Sequence, residues 1–286
     1  MTPINKRAGL RPDWLKVRVP GDLQQLPVSK LINDLGLNTV CQEARCPNIF
    51  ECWAAGTATF MVLGEICTRR CTFCAVGRGA QLAADSDEPR RVAEAVEKMR
   101  VKHAVITMVN RDDMPDGGAE HVARTVLAVR ERTGAAVEVL ISDLDGNRDA
   151  LRTVLASKPE VLAHNIETIP RLYPQVRPVA KYARSLDILR WAADEGALTK
   201  SSVMLGLGES EEEVLDVARD LRQAGVGIFT MGQYLAPSEK NHPVRRYYTP
   251  AEFEALGTRA RALGFQHVES APLVRSSYMA HRAVHG

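Results

Sequence analysis

From residue 58 onward, short apolar runs alternate along the chain with amphipathic stretches of helical period. Such alternation is typical of βα units whose strands pair in parallel. Strands are predicted near residues 59–63, 104–108, 137–141, 161–164, 201–205 and 227–231, with a last short strand at 265–269. Helices are predicted near residues 88–101, 119–132, 147–156, 181–194, 211–224 and 250–263. The pattern therefore predicts an α/β fold of six βα units, arranged as a partial barrel or an open sheet.

Polar residues follow the carboxyl end of each of the six predicted strands. In chain order they are the loop at Cys67, Asn110 to Asp113, Ser142 and Asp143, Asn165 and Glu167, Gly206 to Glu209, and Gln233 and Tyr234. That edge is the active face of barrel enzymes. Any one of these residues alone is more typical of a turn that ends a strand. Six such edges together favour a functional site.

Composition and charge narrow the class of protein. Of the 286 residues, 45% are apolar and 25% are charged, which allows a sizeable core and excludes a disordered or fibrous chain. The apolar runs are far shorter than the roughly 18 residues of a membrane span, and residues 1–17 lack the apolar segment of a secretion signal. We therefore expect a cytoplasmic protein that contacts no membrane. The net charge of +2 argues against nucleic acid as the main partner.

The charge is unevenly distributed along the chain. Residues 1–30 carry six Lys or Arg against two Asp, and residues 239–286 carry seven Lys or Arg against four Glu. The body between them is acidic. Basic ends suit the docking of a small acidic protein, and they equally fit ordinary solvated surface.

All six cysteines fall within residues 41–74, in two triplets. The first triplet has the spacing C-x4-C-x5-C and the second the spacing C-x3-C-x2-C. The members are Cys41, Cys46 and Cys52, followed by Cys67, Cys71 and Cys74. A cytoplasmic chain of this length needs no disulfides and is kept under reducing conditions. Metal binding or catalysis is therefore the better interpretation.

Zinc and iron–sulfur clusters are the two kinds of metal site that such thiols could form. Structural zinc usually takes paired C-x2-4-C knuckles with a fourth ligand close by, whereas each triplet here supplies three ligands and no His lies between residues 41 and 102. Three thiolates leave one vertex of a cubane cluster open for reaction chemistry. Arg69, Arg70 and Arg78 are either positive charges beside such a cluster or plain solvated cations. The triplets predict two iron–sulfur sites.

The motifs carry a resemblance to a known family. The run Gly64-Glu-Ile-Cys67-Thr-Arg-Arg-Cys71-Thr-Phe-Cys74 resembles the cluster loop of radical S-adenosylmethionine (SAM) enzymes, and the triplet ahead of it is similar to that of the lipoyl synthase family. The similarity continues through five further motifs. They are Arg111–Gly118, His164–Thr168, Gly206–Glu209, Gly232–Pro237 and Arg275–Tyr278. It covers nearly all of the chain from about residue 11 to 280.

The resemblance implies a radical SAM partial (βα)6 TIM-like barrel over residues 58–264. Residues 1–57 would form an N-terminal extension with the first triplet, and residues 265–286 a C-terminal segment that folds back. The implied enzyme is a sulfurtransferase that inserts two sulfur atoms at C6 and C8 of a protein-bound octanoyl chain. Implied cofactors are two 4Fe-4S clusters and SAM. Implied partners are octanoylated lipoyl carrier domains, in 2-oxo acid dehydrogenase acyltransferase subunits and the glycine-cleavage H protein, and an electron donor such as ferredoxin or flavodoxin.

The same resemblance implies a role for each site residue. The second triplet would hold the cluster that cleaves SAM, and the first an auxiliary cluster consumed as the sulfur source. Ser276 is the implied fourth ligand of the auxiliary cluster, with Ser277 as the alternative. Implied contacts to SAM are Phe73 at the adenine, Asp116, Gly117 and Gly118 at the methionyl amine and carboxylate, and Asn165 and Glu167.

Each of these contacts has a simpler interpretation or a rival. Gly117 and Gly118 offer exposed amides suited to a carboxylate, a weak indication alone, and Asn165 and Glu167 equally fit strand hydrogen bonds.

The proposed activity has two rivals. A sulfurtransferase similar to biotin synthase would lack the first triplet. A zinc-binding module would hold zinc and cleave no SAM.

Overall fold

The computed structural model describes residues 11–16, 26–44, 46–54 and 57–278. Much of the basic segment 1–30, and residues 279–286 with Arg282, lie outside the described residues. Within the described part of the chain, no helix is long and apolar enough to cross a membrane.

Strands and helices alternate along most of the chain. The strands are β1 (Asn38–Thr39), β2 (Thr57–Val62), β3 (Ile66–Cys67), β4 (Gly77–Arg78), β5 (His103–Met108), β6 (Ala136–Leu140), β7 (Val161–Ala163), β8 (Thr199–Leu205), β9 (Ile228–Gln233) and β10 (His267–Ser270). The α-helices are α1 (Leu26–Asp34), α2 (Val40–Glu43), α3 (Ile49–Ala54), α4 (Glu88–Lys98), α5 (Ala119–Thr133), α6 (Arg148–Ala156), α7 (Tyr173–Val176), α8 (Tyr182–Asp194), α9 (Glu211–Gln223) and α10 (Pro250–Arg261).

Eight strands form one sheet in the order β1-β2-β5-β6-β7-β8-β9-β10. Strand β1 is antiparallel to β2, and all other neighbours are parallel. The six predicted strands and the last short strand are all present in this sheet. Because β1 and β10 are its two edges, the sheet does not close on itself, as expected for either a partial barrel or an open sheet.

Alternate residues of each strand pack on the surrounding helices. Ala104 and Ile106 of β5 join α4 and α5 in one apolar core, and Val203 of β8 joins α9 and α10 in a second. The intervening residues face the other side of the sheet because successive side chains alternate. They include the buried pair Lys200 and Glu138, whose ammonium and carboxylate groups are 3.0 Å apart. This face of the sheet is therefore partly polar, and the opposite charges of the Lys200–Glu138 pair neutralise each other.

The helix starts predicted at residues 211 and 250 are correct, whereas the sequence pattern missed most of the short elements. Ser210 and Thr249 form the capping boxes that begin α9 and α10. The pattern gave no indication of α1 to α3, β1, β3, β4 or α7. Apart from α1, these elements are two to six residues long, too short to show a hydrophobic period.

Candidate active site

The second cysteine triplet lies in the loop that follows β2. Leu63 and Gly64 turn the chain out of the strand with positive φ angles of 71° and 91°. The amide of Leu63 donates to the carboxylate of Glu88 at 2.8 Å, and that carboxylate also lies 2.7 Å from His121 Nε2. The first turn of α4 therefore fixes the strained turn from which the cysteine loop departs.

Arg69 fastens this loop to the ends of two further strands. It is buried and pairs with Asp112 at 2.7 Å and Asp143 at 2.6 Å, so it is not a solvated cation. Burial by itself would raise the pKa of Asp143, but the hydrogen bond and charge of Arg69 outweigh it and hold that pKa at about 2. Since two carboxylates neutralise it, Arg69 positions the loop, whereas Arg70 and Arg78 remain exposed.

The three thiols of the loop influence one another. Burial raises the pKa of Cys71, and it raises the pKa of Cys74 to about 11 despite the amide of Val76, which donates to Cys74 Sγ at 3.5 Å. The charge of Cys67 adds to both shifts. Thiolates in this position therefore need a positive partner, which bound iron supplies.

A buried guanidinium lies beside this triplet, and the sequence pattern gave no indication of it. Arg177 donates to the carbonyl oxygen of Asn165 at 2.9 Å and to Tyr173 Oη at 3.1 Å. Its charge and its hydrogen bond oppose the larger effect of burial on the pKa of Cys71. The Nε of Arg177 has no partner among the described residues. Arg177 is thus a fixed cation beside a thiolate, with one donor to spare.

Asn165 and Glu167 follow β7 at the same edge. The backbone of Glu167 pairs with β8, so the interpretation as a strand-ending residue is correct for its main chain. Burial raises the pKa of the Glu167 carboxyl, against the charge of Arg177 and a hydrogen bond from Asn165. Asn165 Oδ1 is buried with no hydrogen-bond partner in the described structure. This oxygen is an acceptor suited to a bound amine.

The expectation of free amides at Gly117 and Gly118 is wrong. Gly117 N donates to the carbonyl oxygen of Met114 at 3.0 Å, and Gly118 N donates to the carboxylate of Asp116 at 2.9 Å. A Cβ atom at Gly118 would overlap the side chain of Leu63. The glycines permit positive φ angles and a close approach to the cysteine loop, and Asp116 caps the start of α5.

Phe73 and His164 are held by the fold. Phe73 packs, partly buried, against the second apolar core, and its contact to adenine stays a prediction. His164 Nδ1 lies 2.9 Å from the carbonyl oxygen of Ile141, and Nε2 lies 2.9 Å from Ser185 Oγ. Burial, followed by the charge of Arg177, lowers the pKa of His164 to about 4. A neutral His164 therefore links β6, β7 and α8 directly beneath Asn165.

Other polar residues at the strand ends shape loops. The carboxylate of Glu209 accepts the amides of Gly206, Leu207 and Gly208 at 2.6, 2.9 and 3.0 Å. Ser142 Oγ accepts the amide of Leu144 at 3.1 Å. The row of polar residues thus indicated the correct edge, although only part of it is directed at the cysteine loop.

The first triplet lines a separate pocket between α2, α3 and β2. Its walls are formed by Cys41, Cys46, Asn48, Ile49, Cys52, Thr57, Thr59, Arg275, Ser277 and Tyr278. Burial raises the pKa of Cys41. Burial lowers the pKa of Arg275, and the neighbouring Cys46 sulfur opposes that effect. Like the site of the second triplet, this pocket combines three thiols with one guanidinium, which is half-buried here.

The C-terminal segment reaches this pocket by crossing β9. A Cβ atom at Gly232 would overlap the carbonyl oxygen of Val274, so only glycine permits this path. Asn48 Nδ2 donates to the carbonyl oxygen of Leu273 at 2.6 Å, which ties the segment to the N-terminal part of the chain. Residues more than 200 positions apart in sequence therefore form one wall.

The serine in the pocket is Ser277. Ser276, which the resemblance implies as the ligand, lies in a turn closed by a 2.9 Å bond from the Tyr278 amide to the Arg275 carbonyl oxygen and does not line the pocket. Which of the two serines ligates the auxiliary cluster stays a prediction, and Ser277 is the one that lies in the pocket wall.

Strand β2 separates the two cysteine sites. Thr57 and Thr59 in its first half border the pocket of the first triplet, whereas Val62 leads into the loop of the second. At about 3.3 Å per residue, roughly 10–16 Å of strand lies between them.

Comparison with known proteins agrees with this two-site arrangement. The radical SAM superfamily model matches residues 61–221. The chain is 57% identical over 274 residues to a lipoyl synthase of Rubrobacter xylanophilus, covering 95% of this chain and 85% of that protein. It is 54% identical to a lipoyl synthase of Chloroflexus aurantiacus, covering 95% and 90%. The chain belongs to the lipoyl synthase family.

Solved structures of radical SAM enzymes share the fold at low sequence identity. Methylornithine synthase (PylB) superposes with a TM-score of 0.57 at 13% identity, covering 85% of this chain and 81% of that one. The hydrogenase maturase HydG gives 0.59 at 13% identity, covering 80% and 62%. The predicted radical SAM type of partial barrel is confirmed.

Lipoyl synthases are radical SAM enzymes that use SAM and two 4Fe-4S clusters, and the residues of both sites suit these groups. Each site offers three thiols and a guanidinium, buried at Arg177 and half-buried at Arg275, to an anionic cluster, and the buried Asn165 Oδ1 suits an amine of SAM.

Proposed function

We infer that this protein inserts two sulfur atoms into an octanoyl chain carried on the lysine of a lipoyl carrier protein. The observation that carries the proposal is the pair of three-thiol sites, each with a guanidinium that is buried at Arg177 and half-buried at Arg275, at the two ends of one strand. An enzyme that must break unreactive C–H bonds and then deliver sulfur needs two such sites, because ordinary acids, bases and nucleophiles cannot remove those hydrogens.

The clusters supply the chemistry that side chains lack: the one at the second triplet gives an electron that splits SAM into methionine and a 5′-deoxyadenosyl radical, and the auxiliary one gives sulfur. At each of C6 and C8, one hydrogen atom would leave to form 5′-deoxyadenosine, and one C–S bond would form with a sulfide of the auxiliary cluster, whose iron would accept the electron released. Two SAM molecules are consumed for each lipoyl group.

The chain's own residues bind and orient these groups. Cys67, Cys71 and Cys74 would hold the cluster that cleaves SAM, with Arg177 offsetting its negative charge. Asn165 Oδ1 would accept the methionyl amine of SAM, and Glu167 would contact SAM beside it. Phe73 would pack on the adenine. Asp116, Gly117 and Gly118 would act on SAM through the shape of the loop, since their amides are already bonded.

The auxiliary cluster would be held by the first triplet and by Ser277. Support for Ser277 over Ser276 is its position in the pocket wall. A hard oxygen donor matches iron in a sulfur-rich cluster less well than thiolate and dissociates more readily. Arg275 remains beside Cys46 to keep the site positively charged as a ligand leaves.

The substrates proposed are octanoylated domains of 2-oxo acid dehydrogenase acyltransferase subunits and the glycine-cleavage H protein. Electrons would come from a small donor protein such as ferredoxin or flavodoxin.

A direct test uses anaerobically purified protein, an octanoylated carrier peptide, SAM and dithionite. We expect about eight iron atoms per chain, 5′-deoxyadenosine, and a peptide that gains two sulfur atoms by mass spectrometry. A protein that binds only zinc, or that cleaves SAM and leaves the peptide unchanged, would refute the proposal.

A further inference from the structure

Three segments of the chain meet at the loop of the second triplet, and Thr72 joins them. The amide of Thr72 donates to the carbonyl oxygen of Val176 at 2.9 Å. The carbonyl oxygen of Thr72 accepts from His242 N at 2.9 Å and from Asn241 Nδ2 at 3.0 Å. One continuous rim therefore includes the loop of the second triplet. It is formed by residues 67–78, 175–181 and 238–245.

This rim carries a concentration of exposed cations that make no ion pair within the described chain. They are Arg70, Arg78, Lys181, Lys240 and Arg245, and we name them the basic rim. Glu239 is the only acidic residue in the three segments. Val179, which is 52% exposed, lies between Arg177 and Lys181 and adds an apolar contact.

Exposed arginines elsewhere on the described surface are mostly paired. Arg246 pairs with Glu252, and Arg259 and Arg261 pair with glutamates of α9 and α10. Arg275 is half-buried and lines the auxiliary pocket. Of the basic C-terminal residues expected to dock a partner, the described ones that stay unpaired and exposed are Lys240 and Arg245, and both belong to the rim.

We propose that the basic rim is the docking surface for the lipoyl carrier domain, through acidic residues that flank its acylated lysine. The proposal rests on the function inferred above. The octanoyl chain must reach the radical formed at the loop of the second triplet, so its carrier has to cover the rim. Acylation also removes the positive charge of the carrier lysine, which leaves an acidic face without a cation to repel the rim.

The test compares two double charge reversals. K181E/K240E changes two exposed lysines of the rim that contact neither cysteines nor SAM residues. K102E/K158E makes the same change at the amino ends of the strands, where Lys102 precedes β5 and Lys158 follows α6. Each protein is assayed with the octanoylated domain, with a short octanoyl-lysine peptide, and for SAM cleavage driven either by dithionite or by a ferredoxin or flavodoxin.

For K181E/K240E we expect the KM for the octanoylated domain to rise about tenfold at low salt, which corresponds to ~1.4 kcal/mol. Reaction with the short peptide and dithionite-driven SAM cleavage should keep the parent rates, as should every activity of K102E/K158E. For the parent protein, the KM for the domain should rise with salt as the Debye length falls from about 10 Å to about 3 Å.

Three results would overturn the docking proposal. They are an unchanged KM for the domain, an equal loss with the short peptide, and a loss confined to SAM cleavage driven by a ferredoxin or flavodoxin, which would make the rim an electron-donor surface. Failure of the proposed function is distinguishable, because the parent protein would then add sulfur to neither the domain nor the peptide.

Discussion

The SAM site and the auxiliary pocket solve the same chemical problem with different parts of the chain. The SAM site is built from the carboxyl ends of neighbouring strands, where β2, β5, β6 and β7 each contribute a loop. The auxiliary pocket joins the N-terminal helices to a C-terminal segment that crosses β9. The first depends on the barrel alone, whereas the second requires that the two extensions meet.

Both sites nevertheless place one guanidinium against three thiols, buried at Arg177 and half-buried at Arg275. Arg177 opposes the effect of burial on Cys71, and Arg275 lies beside Cys46. Burial alone would favour protonated thiols, and a fixed cation offsets part of that effect. The comparison shows that the pattern of cysteines is only half of each site, and that the charge which completes it comes from distant sequence.

The largest expected effect separates the two sites by single substitutions. Cys71→Ala should abolish SAM cleavage because the iron that binds SAM would lose a ligand. Cys46→Ala should retain SAM cleavage and lose sulfur insertion. Both are measured as 5′-deoxyadenosine and lipoyl product from anaerobic protein. Equal loss of SAM cleavage in both variants would contradict the division of roles.

The crossing at β9 offers a test that leaves every ligand in place. Gly232→Ala should displace the Val274 carbonyl and with it the wall that carries Ser277. We expect iron content to fall by about half and lipoyl product to be mostly lost, while SAM cleavage persists. Gly79→Ala is the control, because Gly79 has no positive φ and its added Cβ atom would meet no atom nearer than 3.9 Å. Retention of full iron would show that the C-terminal segment can be moved without harm.

The two adjacent serines can be distinguished by product yield. Ser277→Ala should lose most lipoyl product and keep SAM cleavage, and Ser276→Ala should keep both. Ser277→Cys should preserve iron and slow sulfur release, because thiolate binds that iron more firmly than a hydroxyl oxygen. The reverse pattern would return the role to Ser276.

Removing the charge of Arg177 beside Cys71 should slow SAM cleavage without loss of the cluster. Arg177→Gln should slow SAM cleavage by about 10- to 100-fold, equivalent to ~1.4–2.7 kcal/mol. Arg177→Lys keeps the charge and should recover part of that loss. Iron content and the reduction potential of the cluster are measured together with the rate. An unchanged potential in Arg177→Gln would limit Arg177 to packing.

The smallest expected effect is on stability as a function of pH. The pKa of His164 is about 4 in the folded protein and about 6.5 when unfolded, so the unfolded chain binds the extra proton between these values. The free energy of unfolding of the anaerobic protein should therefore fall, by up to about 3 kcal/mol, as pH drops from about 6.5 to about 4.

His164→Gln provides the comparison, because glutamine takes up no proton. Its stability should decline less in that window than the parent's, as measured by denaturant titration. The contribution of Asp143 is lost only at lower pH, between about 3.8 and about 2, so the two groups are separable. Parallel curves for both proteins would show that His164 does not contribute.

Much of the barrel and the ligand cysteines could be predicted from sequence because both leave local patterns. Capping at Ser210 and Thr249, and the period of the strands, depend on neighbours within a few residues. The buried partners could not be predicted in this way. Arg177 resembles any charged residue after a helix, and its environment exists only once α7 packs on the cysteine loop.

The sequence was ambiguous at the site where a local motif had two uses. The glycines at 117 and 118 do adopt positive φ, as a ligand-binding loop would, but their amides bond within the chain. Ser276 and Ser277 share one motif, and only the fold shows that Ser277 lies in the pocket wall. The sequence left open whether Arg69 is solvated, because its acidic partners follow other strands.

The position of β2 between the two cysteine sites has a consequence for how the enzyme can change. All six of its residues are in register with β5, and its neighbour on the other side is β1. Inserting or deleting one residue would shift one site by about 3.3 Å and turn every later side chain to the opposite face. The distance between the site of hydrogen removal and the site of sulfur delivery can therefore change only by whole residues, and the length of β2 fixes that distance for the acyl chain.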